Sequence, residues 1–125
     1  MWSHKLSPYY SVAPQISEAD ISAIVSAGFK AIICNRPDYE NSEDLHIVII
    51  KAAALEAGLE FAENVFDGSS FGSGKIAIQK DLMQKLPNPV LAYCTSHHIW
   101  HFLVQMKNNW AHKNEGILWG HPKNI

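Results

Sequence analysis

Apolar residues in this chain follow two rhythms in alternation, a helical spacing of three and four and short unbroken runs. Ser17-Glu18-Ala19-Asp20 has the form of a capping box, with Ser17 as cap and an acid three residues later. Ile16, Ile21, Ile24 and Val25 then supply a helical stripe, and Gly28 ends it. Lys30-Ala31-Ile32-Ile33-Cys34 is a continuous run, as expected of a strand covered on both faces. Asn35-Arg36-Pro37-Asp38 closes it as a loop. The pattern then repeats. Ser42 predicts the start of a helix carrying Leu45, Val48, Ile49, Ala52 and Leu55, closed by Gly58, and Leu59 to Phe66 predicts a strand with Phe61 and Val65 inward. Ala27-Gly28-Phe29-Lys30 and Ala57-Gly58-Leu59-Glu60 echo each other, so the two units read as similar helix-turn-strand pieces. With no third copy they do not make a solenoid.

A Gly/Ser loop, Asp67 to Gly74, leads to a third helix over Lys75 to Leu86, with Ile76, Ile78, Leu82 and Met83 inward. Pro87-Asn88-Pro89 stops it, and Val90-Leu91-Ala92-Tyr93 is a further buried strand that runs into Cys94. A fourth helix is expected after Ser96, with Ile99, Phe102, Leu103, Met106 and Trp110 on one face. Tyr9 to Ala13 predicts an edge strand at the start, and the polar tail from Asn114 to Ile125 has no assigned place. Such alternation predicts one α/β domain: a mostly parallel central sheet of about four or five strands, flanked by helices.

Composition narrows the picture. The 125 residues suit one domain, and 47% hydrophobic with 18% charged is a globular balance. Ten basic against twelve acidic residues give a net charge of −2 without a dense basic run, which argues against nucleic acid as a partner. Apolar stretches such as Leu45 to Leu55 are interrupted by His46 and Lys51 and fall short of a membrane span. No apolar run follows the initial Met1-Trp2-Ser3-His4-Lys5, so no signal peptide is expected. Cys34 and Cys94 do not make a disulfide framework, which leaves a reducing cytoplasm as the expected setting. One count matters most. Nine of the ten basic residues are lysines, so Arg36 is the only guanidinium available for a planar, two-pronged grip.

Ligands of such sheets sit at the carboxyl ends of the strands, where the loops Asn35–Asp38, Asp67–Gly74 and Cys94–His98 converge. Cys94 lies at a strand-to-helix turn. A thiolate there meets unpaired backbone N–H groups and the positive helix end, which lowers its pKa, and the same groups can cradle an oxyanion that the sulfur attacks. This layout is shared by cysteine-dependent phosphatases and sulfurtransferases.

From about Tyr9 to Gln105 the sequence resembles the bacterial phosphatase-like family found alone or fused to beta-lactamase-like hydrolases, a branch of the dual-specificity phosphatase fold. The matching stretches are Ser11-Val12-Ala13-Pro14-Gln15-Ile16, Ala27 to Ile33, Asn35-Arg36-Pro37-Asp38 and Pro89 to Cys94. The resemblance implies a cysteine-centred site acting on phosphoryl or sulfane-sulfur groups of a small anion or phosphoprotein, with no cofactor. It also places a general acid after the strand ending at Phe66, which is Asp67, with Asp38 as the rival. The anion-binding loop would be Thr95, Ser96, His97, His98 and Ile99. Here the chain departs from the family, which carries a Gly in this turn and an Arg that clamps the oxyanion. His97 stands in place of the Gly, and Ile99 or Trp100 in place of the Arg. Loss of such a clamp costs about 3 kcal/mol, roughly a hundredfold in rate.

Each candidate also has a plain structural role open to it. Cys94 can be a small buried hydrophobe, and Cys34, inside an apolar strand, is expected to be core. Asp67 and Asp38 are both good turn residues. Arg36 either reaches the anion from its own loop or pins that loop through a salt bridge. His97 and His101, four apart with Cys94 just before them, make a three-ligand zinc arrangement that lacks a fourth ligand, so histidines that face solvent or support neighbouring site residues are the simpler expectation. Three functions remain in view: an oxyanion-binding phosphatase-like domain with little or no turnover, an active enzyme with histidine in place of arginine, and a metal- or protein-binding module.

Overall fold

The computed structural model describes residues 3–66 and 73–94. Strands β1 (His4–Ser7), β2 (Tyr10–Ala13), β3 (Ala31–Cys34), β4 (Glu60–Glu63) and β5 (Val90–Tyr93) form one sheet in the order β1-β2-β5-β3-β4. β2, β5, β3 and β4 are parallel, and β1 runs antiparallel to β2. Helices α1 (Ile21–Ser26), α2 (Ile47–Glu56) and α3 (Ser73–Lys85) supply the crossovers that parallel strands need. The chain is therefore a small α/β domain with a mostly parallel sheet, as the alternation predicts.

β2, β3 and β5 are buried throughout because both faces are covered. Tyr10, Val12, Ala31, Ile33, Val90, Ala92 and Cys94 pack on one side with Phe66 and with Ile76 and Met83 of α3. Ala13, Ile32, Cys34, Leu91 and Tyr93 pack on the other with Ile21 and Ile24 of α1 and Ile50 and Ala54 of α2. The two cysteines thus face opposite layers.

The sequence echo has a structural basis. α1 and α2 end alike: Phe29 N–H donates to Ile24 O at 3.3 Å, and Leu59 N–H donates to Ala54 O at 3.0 Å. Gly28 and Gly58 take φ values of +95° and +89°, which close this C-terminal cap and which a Cβ disfavours. Each turn then delivers its strand to the sheet.

Five expectations need correction. Tyr10–Ala13 is an interior strand; β1 forms the edge, and its polar residues gave no apolar signal. Ser42 opens a 3-10 turn over Glu43–Leu45, and α2 starts only at Ile47. Its inward residues are Ile50 and Ala54, while Val48 and Leu55 are 70% and 52% exposed. On α3, Ile78 faces outward and Gln79 is buried instead. β4 is shorter than expected and lies at the sheet edge, with Phe61 half-buried. The fourth helix and the tail lie outside the described residues. No described helix is long and apolar enough to cross a membrane.

Candidate functional site at the carboxyl end of the central strand

Register brings Ala13, Tyr93 and Cys34 side by side at the carboxyl ends of β2, β5 and β3. The ladder continues one residue further. Cys94 N–H donates to Ala13 O at 3.0 Å, Asn35 N–H to Tyr93 O at 2.9 Å, and Asn64 N–H to Cys34 O at 2.9 Å. Cys94, Asn35 and Asn64 therefore share one edge, and Cys94 sits on the central strand. Its side chain is fully buried. Burial pushes the Cys94 thiol up, and so does the neighbouring Cys34. The Arg36 guanidinium pulls it down, and the Glu40 carboxylate pushes it up again. The direction is opposite to the depressed thiol expected from the sequence, because desolvation outweighs the pull of Arg36, the positive charge acting on it among the described residues. Asp67 and the loop residues Thr95, Ser96, His97, His98 and Ile99, with Trp100 and His101, lie outside the described residues.

Arg36 follows Asn35 directly and turns toward its own loop. Its Nη2 donates to Glu40 O at 3.1 Å, and its Nε lies 3.4 Å from Glu40 Oε1. This is the loop-pinning salt bridge, although Arg36 stays near enough to act on Cys94. Asp38, the rival acid, is engaged elsewhere: its Oδ1 accepts from Ile47 N–H at 2.8 Å and so satisfies an unpaired donor at the start of α2. Cys34 behaves as core, with its thiol pushed up to about 11 chiefly by burial, against the Tyr93 hydroxyl and the Arg36 carbonyl. Its Sγ donates to Arg36 O at 3.3 Å.

Two polar residues absent from the sequence reading, Asn64 and Gln79, form a buried network with Asn35 and Tyr10 on the Cys94 face. Gln79 Oε1 accepts from Asn35 Nδ2 and from Asn64 Nδ2, each at 2.9 Å. Asn35 Nδ2 also donates to Asn64 O at 2.9 Å, and Asn64 Nδ2 to Lys75 O at 3.0 Å. Gln79 Nε2 reaches Tyr10 Oη at 3.4 Å. The network ties β3, β4 and α3 together beside the cysteine, and buried amides survive there only because they are paired. A sequence signal existed: Asn35 and Asn64 each directly follow an apolar strand run, and Gln79 lies three residues after Ile76 and four before Met83. Glu40 was also missed, although opposite charges four residues apart point to it.

Among the described residues no group of three or more His, Cys, Asp or Glu side chains is placed to hold a metal ion. Two open clefts of about 300 and 270 Å³, one between α1 and α2 and one near Pro8 and Pro89, do not include Cys94.

The phosphatase-like domain of the beta-lactamase hydrolase-like proteins matches residues 4–107 of the chain. The chain belongs to this family. Solved structures agree. A "putative phosphatase" from Neisseria meningitidis Z2491 is 28% identical, with 92% of this chain and 79% of that one covered, at a TM-score of 0.75. A "putative phosphatase (DUF442)" from Shewanella putrefaciens CN-32 is 18% identical, covering 89% and 73%, with a TM-score of 0.73. Tk-PTP in its active form is 15% identical, covering 76% and 64%, at a TM-score of 0.53, and shares the fold. No curated protein matches the chain.

Proposed function

We propose that this phosphatase-like domain binds a phosphate- or sulfur-type oxyanion beside Cys94 and turns it over slowly or not at all. The observation that carries this reading is the state of the only arginine. In place of a guanidinium after the cysteine, the chain has Arg36 on a neighbouring loop, paired with Glu40. Cys94 lies one residue past the central strand, at the carboxyl end of the sheet, and this position supports docking of a small anion or the phosphate of a phosphoprotein beside it. Without a bidentate clamp the transition state loses more stabilisation than the ground state, so rate suffers more than affinity. Asp67 is the acid of this reading, because Asp38 is committed to α2.

An assay with an aryl phosphate and with thiosulfate, alongside calorimetric titration of inorganic phosphate, tests it. The expected result is measurable phosphate binding with turnover at least a hundredfold below that of an arginine-bearing relative. Turnover near that relative's level, abolished by Cys94→Ser, would instead mark an active enzyme that uses its histidines.

A further inference from the structure

Arg36 is the one group in the chain able to grip an oxyanion with two parallel N–H donors, and its partner holds it poorly. A well-made arginine–carboxylate pair has two short, parallel hydrogen bonds of roughly 2.8 Å. Here Nε and Oε1 stand 3.4 Å apart, both atoms are buried, and neither has a hydrogen bond of ordinary geometry among the described residues. The side-chain contact with Glu40 is thus mainly one of charge, while the fork's Nη2 is spent on the Glu40 carbonyl. Both side chains are only partly buried, at 20% and 24% exposure, and the two atoms left without a hydrogen bond recover little of their own desolvation cost. Such a pair is readily exchanged for a better one.

Position makes the exchange relevant to the site. Asn35 N–H continues the β3–β5 ladder onto Tyr93, so Arg36 begins one residue from the end of that ladder. The Cys34 thiol donates to the Arg36 carbonyl at 3.3 Å and ties that backbone to β3. Glu40 ends the Asp38–Glu40 3-10 turn and is followed by the extended Asn41, and its side chain stays 24% exposed. We propose that Glu40 is a built-in competitor for the anion: its carboxylate occupies the Arg36 guanidinium, and an oxyanion arriving beside Cys94 binds by taking that guanidinium over. This rests on the reading that an oxyanion binds beside Cys94, and it adds the residue that sets how tightly. With Glu40 in place the Arg36 charge is cancelled locally, so a phosphate gains little from it. With Glu40 neutral the full charge is available.

The experiment is calorimetric titration of inorganic phosphate into the full chain, for wild type, Glu40→Gln, Glu40→Asp and the control Glu43→Gln. Glu43 is exposed in the next 3-10 turn and carries the same charge away from the pair. Glu40→Gln is expected to tighten phosphate at least fivefold, Glu40→Asp by less, and Glu43→Gln not at all. The gain should vanish when Arg36→Gln is added to Glu40→Gln. A second readout is the pH midpoint of Cys94 alkylation. Among the described residues the groups acting on that thiol are Cys34, Arg36, Glu40 and Tyr10. Removing the Glu40 charge is expected to lower the midpoint, and an unchanged midpoint would show that this carboxylate does not act on the site and would overturn the proposal.

If wild type binds phosphate and folded Glu40→Gln binds it no tighter, Glu40 is only a loop pin and the proposal is wrong, while the oxyanion site stands. If neither protein binds phosphate, the oxyanion reading itself fails. Should Glu40→Gln not fold, Glu40→Asp decides, and unchanged affinity there overturns the proposal.

Discussion

At the scale of single residues, burial governs the thiols. Cys34 is raised from 9.0 to about 11 chiefly by burial. Cys94 is raised further in the same direction, again by burial first. A raised thiol is an acid whose neutral form the fold favours, so the unfolded chain releases its proton first as pH climbs. The stability from Cys34 is complete below about pH 9 and drains away toward pH 11, by about 2 kcal/mol over that window. Urea midpoints are therefore expected to fall between pH 8.5 and 10.5, and to fall less steeply in Cys34→Ala. A slope unchanged by that substitution would show that Cys34 is not the titrating group. The place of Cys94 was legible in the sequence, because an apolar run leading into a cysteine and then a turn has few readings. Its environment was not legible. The sign of its shift depends on how fully the neighbouring strands and Phe66 bury it, and on Glu40 offsetting Arg36.

At the scale of elements, the strand core and the helix ends at Gly28 and Gly58 followed from short continuous runs and glycine stops, while the start of α2, the length of β4 and the helix faces did not. α2 reads Ile47-Val48-Ile49-Ile50-Lys51-Ala52-Ala53-Ala54-Leu55-Glu56, apolar on nearly every side. Periodicity alone offered two faces, and the sequence reading took Val48, Ile49, Ala52 and Leu55. The sheet selects the other, with Ile50 and Ala54 fully buried. At the start of the helix the Ile47 N–H donates to Asp38 Oδ1, in a loop nine residues earlier, which anchors α2 in this placement. No local pattern reports such a contact. The consequence is measurable. Ile50→Ala leaves a cavity between α2 and the sheet and is expected to cost about 2–4 kcal/mol. Val48→Ser, at a position 70% exposed, is expected to change stability by less than about 0.5 kcal/mol. Equal losses for the two in urea unfolding would mean that the outer face of α2 is covered in solution.

At the scale of the whole molecule, topology and chemistry part company. Parallel strands joined by helices bring the Cys94 and Arg36 loops to one sheet edge whatever residues those loops carry, which is why the family fold is intact here. Chemistry depends on individual groups that topology does not supply, above all the clamp after the cysteine. A backbone cradle and a guanidinium act on the same oxyanion, but only the guanidinium adds a full charge with bidentate geometry. Arg36 does not replace it while Glu40 occupies it, and the turn residue Pro37 holds its backbone in another loop. Restoring the family pattern by His97→Gly with Ile99→Arg is therefore expected to raise aryl phosphatase or sulfurtransferase activity at least tenfold. Trp100→Arg with His97→Gly tests the longer spacing between cysteine and arginine that phosphatases use. The gain should appear in kcat more than in KM, since the clamp tightens as negative charge develops. It should also disappear when Cys94→Ser is added. A wild type that already turns substrate over well, with neither restored variant faster, would mean that the histidines have taken over the arginine's work.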